Sequence, residues 1–318
     1  MRERNAATDA ATDATACPAP ASGPLFGRVA VIGLGLMGGS LGLALRAGGD
    51  RGRVASDVAG YDVAPGIAER ALARGALDSA CASAAEAVRD AELVVIATPT
   101  LAAEEILRTL TAYLAPDVVV TDLCSVKAPL VRVASQALPQ PQRFVGGHPM
   151  AGTERAGIES ATADLYRGAR WALTPTPATA PEALRRVRAL VTALGAHPVE
   201  MDAVAHDAAV AGVSHLPLTV AVALAQSLAD ADDWPAMALL AAGGYRDTTR
   251  VAAGDPVMGR DMLLANGEAL LARLDAFTEA LTRLRELIAR GDAAGIEAAL
   301  REARTARVAW ETARQSGE

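Results

Sequence analysis

The stretch Arg28-Val-Ala-Val-Ile-Gly-Leu-Gly-Leu-Met-Gly-Gly-Ser40 decides the fold class of this chain. A short apolar, β-branched run predicts a buried parallel strand, and an apolar helical pattern continues to about Arg46. Between them the glycines follow the spacing G-x-G-x-x-G, in which the first allows a tight turn, the second lets the backbone approach a pyrophosphate, and the third allows close helix–strand packing. Gly39 is not required by this motif. We therefore predict a dinucleotide site formed by Gly33, Leu34, Gly35, Leu36, Met37 and Gly38.

An acidic residue ends the next predicted strand, Val58-Ala-Gly-Tyr-Asp62. Asp62 follows Gly38 by 24 residues (62 − 38), close to the roughly 20-residue spacing of a ribose-binding carboxylate. A carboxylate there accepts hydrogen bonds from the ribose hydroxyls and repels a 2′-phosphate, and Val63 follows instead of an arginine. We expect NAD as the cofactor in preference to NADP; the alternative is that Asp62 caps a helix.

Further β-like segments at 92–97, 117–122, 144–145 and 170–174 alternate with helical patterns that include 102–114 and 128–138. This alternation predicts an α/β Rossmann domain with a doubly wound, mostly parallel sheet. Thr98-Pro99, Ser125 and His148 each follow one of these segments. Because the carboxyl ends of parallel strands share one edge, we expect these residues and the glycine loop to line one crevice, with Thr98 and Pro99 beside the cofactor.

His148 stands in Gly147-His-Pro-Met150, at the end of a predicted strand. Histidine changes charge near neutral pH and most often moves protons in catalysis, so we predict that His148 is a general base. The alternative is a buried histidine that closes a turn. Ser125 is expected to position His148 or the substrate by a hydrogen bond; a Ser–His nucleophile pair is disfavoured because no third, orienting acid is evident.

Lys127 is the only lysine among the 30 basic residues of the chain. A composition that uses arginine almost everywhere has kept one lysine, in Asp122-Leu-Cys-Ser-Val-Lys127. A compact ammonium and a planar guanidinium are not interchangeable, so we predict a role for Lys127 in the site, with chance retention as the alternative.

Length and composition limit the classes of function. The 318 residues suffice for two domains, and the N-terminal segment has no apolar core, so we expect a disordered tail at 1–25 and no secretory signal. We expect no membrane span, and the net charge of −7 argues against nucleic-acid binding. Three widely spaced cysteines form neither a disulfide framework nor a metal motif. The expected location is the cytoplasm, and the expected partner is a small-molecule substrate.

The pattern changes near Asp202, which divides a Rossmann domain at 26–201 from a helical substrate and dimerisation domain at 202–318. A segment at 206–228 is apolar on nearly all sides, which predicts a buried helix, interrupted by Pro217. Asp255-Pro256 predicts the start of a helix that runs to about Arg290, and a last helix follows Gly291. The apolar excess predicts packing against a second copy, hence a homodimer.

Several polar residues stand out in the helical half. His215 lies within the apolar segment, either as part of a site or as a cap on the bend made by Pro217. Arg246 is adjacent to Asp247 and could pair with it, whereas Arg250 has no acid beside it in sequence. A substrate carboxylate is therefore the sharper interpretation for Arg250.

These motifs together resemble the prephenate and arogenate dehydrogenase family over nearly all of the chain after Leu25. The resemblance depends on the glycine loop, the segments 122–127, 147–154, 213–217 and 243–250, and Asp255-Pro256. It implies a Rossmann domain with a helical dimerisation domain and an oxidative decarboxylation of a cyclohexadienol in tyrosine biosynthesis. It further implies that His148 accepts the hydroxyl proton, that Arg250 binds a substrate carboxylate, and that Glu154 and His215 lie near the substrate side chain.

Two positions depart from the family pattern: Leu218, where some members carry a second histidine, and Gly259, where many carry an aromatic residue. In relatives both positions lie near the substrate side chain, so they leave the choice between a keto and an amino side chain open. Prephenate is the first expectation, with arogenate or a 4-amino-4-deoxyprephenate as alternatives. Two other readings compete. One is a 3-hydroxyacid or 6-phosphogluconate type of dehydrogenase with Lys127 as base, which the Gly-His-Pro-Met segment disfavours. The other is a non-catalytic nucleotide sensor, which Ser125, His148 and Arg250 together disfavour.

Overall fold

The structure is a computed structural model that describes residues 23–48, 52–153 and 155–316. Most of the tail predicted at 1–25 and the predicted site residue Glu154 lie outside the described residues. The description below concerns the remaining chain.

A single eight-stranded sheet organises the first half, with the strand order β3-β2-β1-β4-β5-β6-β7-β8. The strands are β1 (Phe26–Ile32), β2 (Ala55–Tyr61), β3 (Ser79–Ala80), β4 (Leu93–Ile96), β5 (Val119–Asp122), β6 (Phe144–Pro149), β7 (Arg170–Thr174) and β8 (His197–Glu200). All neighbouring pairs from β3 to β6 are parallel. The predicted Rossmann-type, mostly parallel sheet is confirmed.

The direction of β7 differs from the expectation of a strand at a regular α/β interval. β7 runs antiparallel to β6, and β8 is parallel to β7. A parallel neighbour requires a crossover connection, usually a helix. In its described residues, the connection after β6 has one 3₁₀ turn, Ile158–Ser160, and no α-helix, so the chain returns in the opposite direction. The carboxyl end of β7 therefore lies at the opposite edge of the sheet from that of β6.

Helices cover both faces of the sheet. They are α1 (Leu36–Ala47), α2 (Ile67–Ala73), α3 (Ala84–Ala87), α4 (Thr100–Leu110), α5 (Ala128–Ala137) and α6 (Pro181–Ala193). Successive residues of β1 point to opposite faces: Val29 and Val31 join one buried apolar cluster, whereas Ala30 and Ile32 join a second. Two-sided burial explains why the parallel strands read as continuous apolar runs.

The second half is helical, as predicted. Its helices are α7 (Ala203–Val210), α8 (Leu216–Ala229), α9 (Trp234–Leu240), α10 (Gly243–Thr249), α11 (Pro256–Ala265), α12 (Gly267–Ala289) and α13 (Ala293–Ser316). Asp255 caps α11 by accepting a hydrogen bond from the Met258 N–H at 2.9 Å. The single helix predicted to end near Arg290 is instead two helices, α11 and α12, which meet at Asn266.

Helices α7 and α8 join through a π-helical turn, Ala211–His215, so that Ala203–Ala229 forms one long helical segment. By length and composition this segment could cross a membrane, which corrects the expectation that no such run exists. The prediction of a buried helix is right for the first part of the segment, where His206, Asp207, Val210, Ala211 and His215 are buried, and wrong for α8 in the isolated chain, where Ala221 is the only buried residue. Contacts of α7 with α5 and β7 make the segment part of the folded protein.

The glycine loop meets the geometric demands of its motif. Gly33 has φ = 93°, and a methyl group at Gly38 would overlap the Gly33 carbonyl oxygen. A methyl group at Gly39 would overlap the terminal methyl group of Ile158, a long-range contact that the motif does not reveal. At Gly35, in contrast, a methyl group would meet no described atom within 4 Å.

We predict that Gly38→Ala lowers the free energy of unfolding by about 1–3 kcal/mol, because the added methyl group forces the loop backbone to move. Gly35→Ala is the matched control and should change it by less than about 0.5 kcal/mol. Urea denaturation of both variants measures the difference. Equal stability of the two variants would contradict the described loop.

Candidate active site

Four neighbouring parallel strands bring the predicted site residues to one edge of the sheet. β1, β4, β5 and β6 are adjacent, and each is followed by a segment predicted to belong to the site. The Thr98 Cγ2 atom lies 2.7 Å from the position that a Gly33 methyl group would occupy, and the Cys124 thiol donates to the Thr98 carbonyl at 3.3 Å. Half-buried Ser125 follows Cys124 at the same edge.

Asp62 holds the glycine loop. The Leu34 N–H donates to its Oδ2 at 2.7 Å, and the Ala64 N–H donates to its Oδ1 at 2.8 Å. Each carboxylate oxygen can accept a further hydrogen bond, so these contacts leave capacity for a ribose hydroxyl. With open space at Gly35 and the N-terminus of α1 directly after it, the residues present fit a dinucleotide.

The loop that follows β6 is anchored on the glycine loop. The Tyr166 hydroxyl donates to the Met37 carbonyl at 2.6 Å, and the Thr162 N–H donates to the Ser40 Oγ at 3.0 Å. Burial raises the pKa of Tyr166, which keeps the hydroxyl protonated and able to donate. The segment that carries His148 is therefore tied to the segment predicted to bind the cofactor.

His148 is buried and belongs to a chain of three side chains. Its Nδ1 lies 2.9 Å from the His206 Nε2, and the His206 Nδ1 lies 2.8 Å from the Asp207 Oδ1. Burial, followed by the charge of Lys127 and by His206, lowers the pKa of His148 well below 6.5. A neutral imidazole at neutral pH can accept a proton, which is what a general base requires.

The Asp207 carboxylate sits at the N-terminus of α5. It accepts hydrogen bonds from the backbone N–H groups of Lys127 and Ala128, each at 2.8 Å. These groups would otherwise lack an intrahelical partner, and the positive end of the helix dipole favours an anion there. The same contacts connect the helical half of the chain to the sheet.

Lys127 is fully buried and forms an ion pair with buried Asp122. Its Nζ also donates to the Gly147 carbonyl at 2.6 Å, while Asp122 accepts from the Gly147 N–H at 3.1 Å and the Cys124 N–H at 3.0 Å. Lys127 and Asp122 thus hold the residue that precedes His148. These contacts favour a structural role for Lys127; the predicted substrate contact stays a prediction.

His215 lies at the end of the π-helical turn and is fully buried. Its Nδ1 is 3.0 Å from the amide nitrogen of Asn266, which also donates to the Asp207 carbonyl at 2.8 Å. Its Nε2 has no hydrogen-bond partner within the described part of the chain. Burial lowers the pKa of His215 to about 4, so this imidazole is neutral at neutral pH. π-helical turns of this kind often occur at functional sites.

The structure places the two arginines of the 243–250 segment on the surface of the isolated chain. Arg246 pairs with Asp247 at 2.9 Å, the alternative considered from sequence. Arg250 begins a 3₁₀ turn, and its charge contributes to lowering the pKa of Asp247 after the larger effect of Arg246. Its predicted contact with a substrate carboxylate stays a prediction.

Sequence reasoning missed three members of this cluster: His206, Asp207 and Asn266. A signal was available for the first, because the chain contains only 4 histidines and three of them converge here. The two residues of the Asp207–His206 pair are adjacent in sequence at the start of α7. No local pattern points to Asn266, whose contact with His215 spans 51 residues.

Two protein-family models cover most of the chain. The model described as "Prephenate dehydrogenase, nucleotide-binding domain" matches residues 41–200, and the model described as "Prephenate dehydrogenase, dimerization domain" matches residues 202–302. The prephenate dehydrogenase of Bacillus subtilis (strain 168) is 34% identical over 267 residues, which is 83% of this chain and 71% of that protein.

Solved structures show the same similarity. The prephenate dehydrogenase of A. aeolicus, in complex with hydroxyphenyl propionate and NAD+, aligns with a TM-score of 0.79 at 34% identity, covering 89% of this chain and 97% of that one. The arogenate dehydrogenase of Synechocystis aligns with a TM-score of 0.73 at 34% identity, covering 89% and 99%.

The buried histidines predict how stability depends on pH. A histidine whose pKa is lower in the folded state than in the unfolded state binds protons preferentially when unfolded. The contribution of His215 is therefore fully present above pH 6.5 and is lost as pH falls from 6.5 towards about 4. We expect urea denaturation to show declining stability across that window.

His215→Gln should reduce this decline, whereas His197→Gln should leave it unchanged because His197 is exposed on β8. An identical pH dependence for the wild type and His215→Gln would contradict the described burial.

Proposed function

Because this chain belongs to the prephenate dehydrogenase family, we propose that it catalyses the NAD-dependent oxidative decarboxylation of prephenate to 4-hydroxyphenylpyruvate, a step of tyrosine biosynthesis. One observation carries the proposal: a buried, neutral histidine, His148, stands at the carboxyl edge of the sheet on a segment tied to the glycine loop. This edge of the sheet provides both a base for a substrate hydroxyl and a binding site for a nicotinamide cofactor.

The chemistry follows from the substrate, a cyclohexadienol with a 4-hydroxyl and a carboxylate on the ring. His148 accepts the proton as the hydroxyl O–H bond breaks, which turns the oxygen into an electron donor for the carbon that bears it. The hydride that leaves C4 would go to NAD+, which the loop Gly33–Gly38 and Asp62 would hold. Loss of the ring carboxylate as CO2 leaves its electron pair in the ring, and the oxygen of the aromatic product recovers the proton from His148. His148 therefore ends each turnover in the neutral form in which it began.

Other residues have supporting roles in this proposal. Ser125 orients the substrate hydroxyl, and Arg250 binds a substrate carboxylate, most simply the one on the ring, by a bidentate contact that a guanidinium favours. The family resemblance assigns His215 and Glu154 to the substrate side chain. The loop Gly33–Gly38 and Asp62 hold the pyrophosphate and ribose of NAD, with Thr98 and Pro99 beside them. The carboxylate of Asp62 disfavours the 2′-phosphate of NADP.

Arogenate is the second candidate substrate, and an amino-substituted prephenate is the third. Arogenate has a specific observation in its favour, because a structural relative named arogenate dehydrogenase covers 89% of this chain at 34% identity. The two positions that depart from the family pattern are neighbours: the Leu218 Cδ2 lies 3.9 Å from the place of a Gly259 methyl group. The surface beside Leu218 and Gly259 is apolar and uncrowded. We expect it to influence whether the enzyme accepts a keto or an amino side chain on the substrate.

The rival mechanism with Lys127 as base has little support. Its ammonium is fully buried in an ion pair with Asp122 and also bonds to the Gly147 carbonyl. Both contacts use the ammonium as a donor, whereas a base must present a free lone pair.

The functional unit in this proposal is a homodimer. The apolar helix α8 is mostly half-buried in a single chain, and the family model that matches residues 202–302 describes a dimerization domain. Burial of this surface against a second copy would remove it from water.

The direct test is the absorbance of reduced nicotinamide with purified protein in four pairings: prephenate or arogenate, with NAD+ or NADP+. We expect the largest kcat/KM with prephenate and NAD+. A larger value with arogenate would replace the substrate, and a larger value with NADP+ would overturn the role of Asp62. No signal in any pairing, with NAD binding intact, would contradict the proposed reaction.

His148→Asn should lower kcat by about 10²–10⁴-fold, because the base is lost while the loop that binds NAD is untouched. Titration of NAD+ into the variant provides the control and should give an unchanged Kd. A variant with near-normal kcat would remove His148 from the mechanism.

Arg250→Ala should raise KM for the substrate by about 10–100-fold, the effect of losing a charge-assisted contact of roughly 1.5–3 kcal/mol. Arg246→Ala is the matched control, since it removes a neighbouring arginine that already pairs with Asp247. A loss of NAD affinity in Arg250→Ala, with KM for the substrate unchanged, would contradict the assignment.

A further inference from the structure

Two buried polar residues next to the catalytic histidine have no part in the reaction as described above. His206 is 1% exposed and Asp207 is 5% exposed, and both lie on α7, outside the sheet that carries His148. Burying two such groups is costly unless each hydrogen bond is made. The structure satisfies them through one continuous chain, Asp207–His206–His148.

We propose that His206 and Asp207 are positioning residues that fix the tautomer of His148, so that its Nδ1 carries the proton and its Nε2 faces the reaction as the base. This inference extends the proposed function, but its central claim concerns a protonation pattern that exists without substrate.

Asp207 determines which atoms donate and which accept in this series of hydrogen bonds. Its two carboxylate oxygens each accept a backbone hydrogen bond at 2.8 Å, from Lys127 and Ala128 at the start of α5. An ionised carboxylate can only accept, so the His206 Nδ1, 2.8 Å away, must be the donor.

The neutral form of His206 then has one remaining ring nitrogen, Nε2, and this nitrogen can only accept. The His148 Nδ1 lies 2.9 Å from it and must supply the hydrogen. The two rings meet edge-on, with centroids 5.1 Å apart and planes inclined by 75°. A neutral His148 with its proton on Nδ1 keeps an unprotonated Nε2, the atom that can accept the substrate's hydroxyl proton.

The same chain stabilises the charge that develops during the reaction. When the His148 Nε2 accepts the proton, the ring becomes an imidazolium in a site where burial, Lys127, His206 and His215 disfavour a cation. Its Nδ1–H remains bonded to His206, which in turn is bonded to anionic Asp207. No proton needs to pass from His148 to His206 or Asp207, because the proton on Nε2 returns to the oxygen of the product.

Asp207 and His148 are anchored on different parts of the protein, which keeps the series of hydrogen bonds rigid. Asp207 is held by α5 on one side, and its backbone carbonyl accepts from the Asn266 side chain at 2.8 Å on the other. His148 is held by the end of β6 through the contacts of Gly147 with Lys127 and Asp122. The hydrogen-bonded series Asp207–His206–His148 therefore has one geometry that satisfies all three side chains.

The first experiment is a long-range ¹H–¹⁵N correlation spectrum of full-length protein labelled with ¹⁵N-histidine, recorded at neutral pH without substrate. The chain has 4 histidines, and His197→Gln removes the exposed one for assignment. We expect both His148 and His206 to carry their proton on Nδ1. A His148 protonated on Nε2, or on both nitrogens, would overturn the proposal whatever the enzyme's substrate proves to be.

The second experiment is Asp207→Ala, which removes the acceptor of the His206 Nδ1–H. It should release both rings from a single tautomer, so that Nε2-protonated forms appear in the spectrum, and lower kcat by about 10²–10⁴-fold, comparable to the effect of a wrong histidine tautomer in serine proteases. KM for the substrate and Kd for NAD+ should stay within about threefold, a split that a loss of folding would not produce. Unchanged tautomers in a folded variant would overturn the proposal.

A matched pair at His206 separates hydrogen bonding from packing. His206→Gln keeps an acceptor near the position of Nε2 and should retain kcat within about 10-fold, whereas His206→Leu fills similar space without an acceptor and should lose about 10²-fold or more. Equal kcat in the two variants would overturn the role of the hydrogen bond. If the wild type shows the expected tautomers but oxidises neither prephenate nor arogenate, the proposed function fails and the tautomer assignment stands.

Discussion

The site depends on one buried ammonium group. The Lys127 side chain is paired with Asp122 inside the protein and also binds the Gly147 carbonyl, while the backbone N–H of the same residue donates to Asp207. A buried charge without its partner costs several kcal/mol, so these groups must stay together in the folded state. One residue thus fastens the end of β5 to the end of β6 and to α7, and His148 lies where the three meet. This accounts for a lysine at a single position in a chain that otherwise uses arginine.

The same surroundings explain how a base can work here at neutral pH. Burial lowers the pKa of both His148 and His215, and the charge of Lys127 lowers that of His148 further, so both imidazoles are neutral, and the neutral form is the one that accepts a proton. Stability and reactivity therefore have a common physical origin in the exclusion of water. The apolar helix α8 shows that this enclosure is incomplete in one chain, because most of its surface remains partly exposed.

Much of the fold could be predicted because local patterns report local structure. The glycine spacing at 33–38 and the apolar runs of β1, β4 and β5 each require only short-range geometry, and the residues after those strands did converge on one edge. The direction of β7 could not be predicted, since an apolar segment does not encode its orientation. The partnership of His148 with His206 spans 58 residues, and the close approach of Ile158 to Gly39 is also long-range, so neither has a local signature. Apolarity in α8 indicated a surface to be buried but not what covers it.

The pH dependence of kcat/KM tests most directly whether the buried, neutral His148 is the base. This ratio reports the pKa of the essential base in the free enzyme. Because the neutral form is active and its pKa is lowered, kcat/KM should be constant down through pH 6.5 and fall only at more acidic pH. The residual activity of His148→Asn should lack that fall. A wild-type decline that begins at or above pH 6.5, or an acid limb that persists unchanged in His148→Asn, would contradict the account.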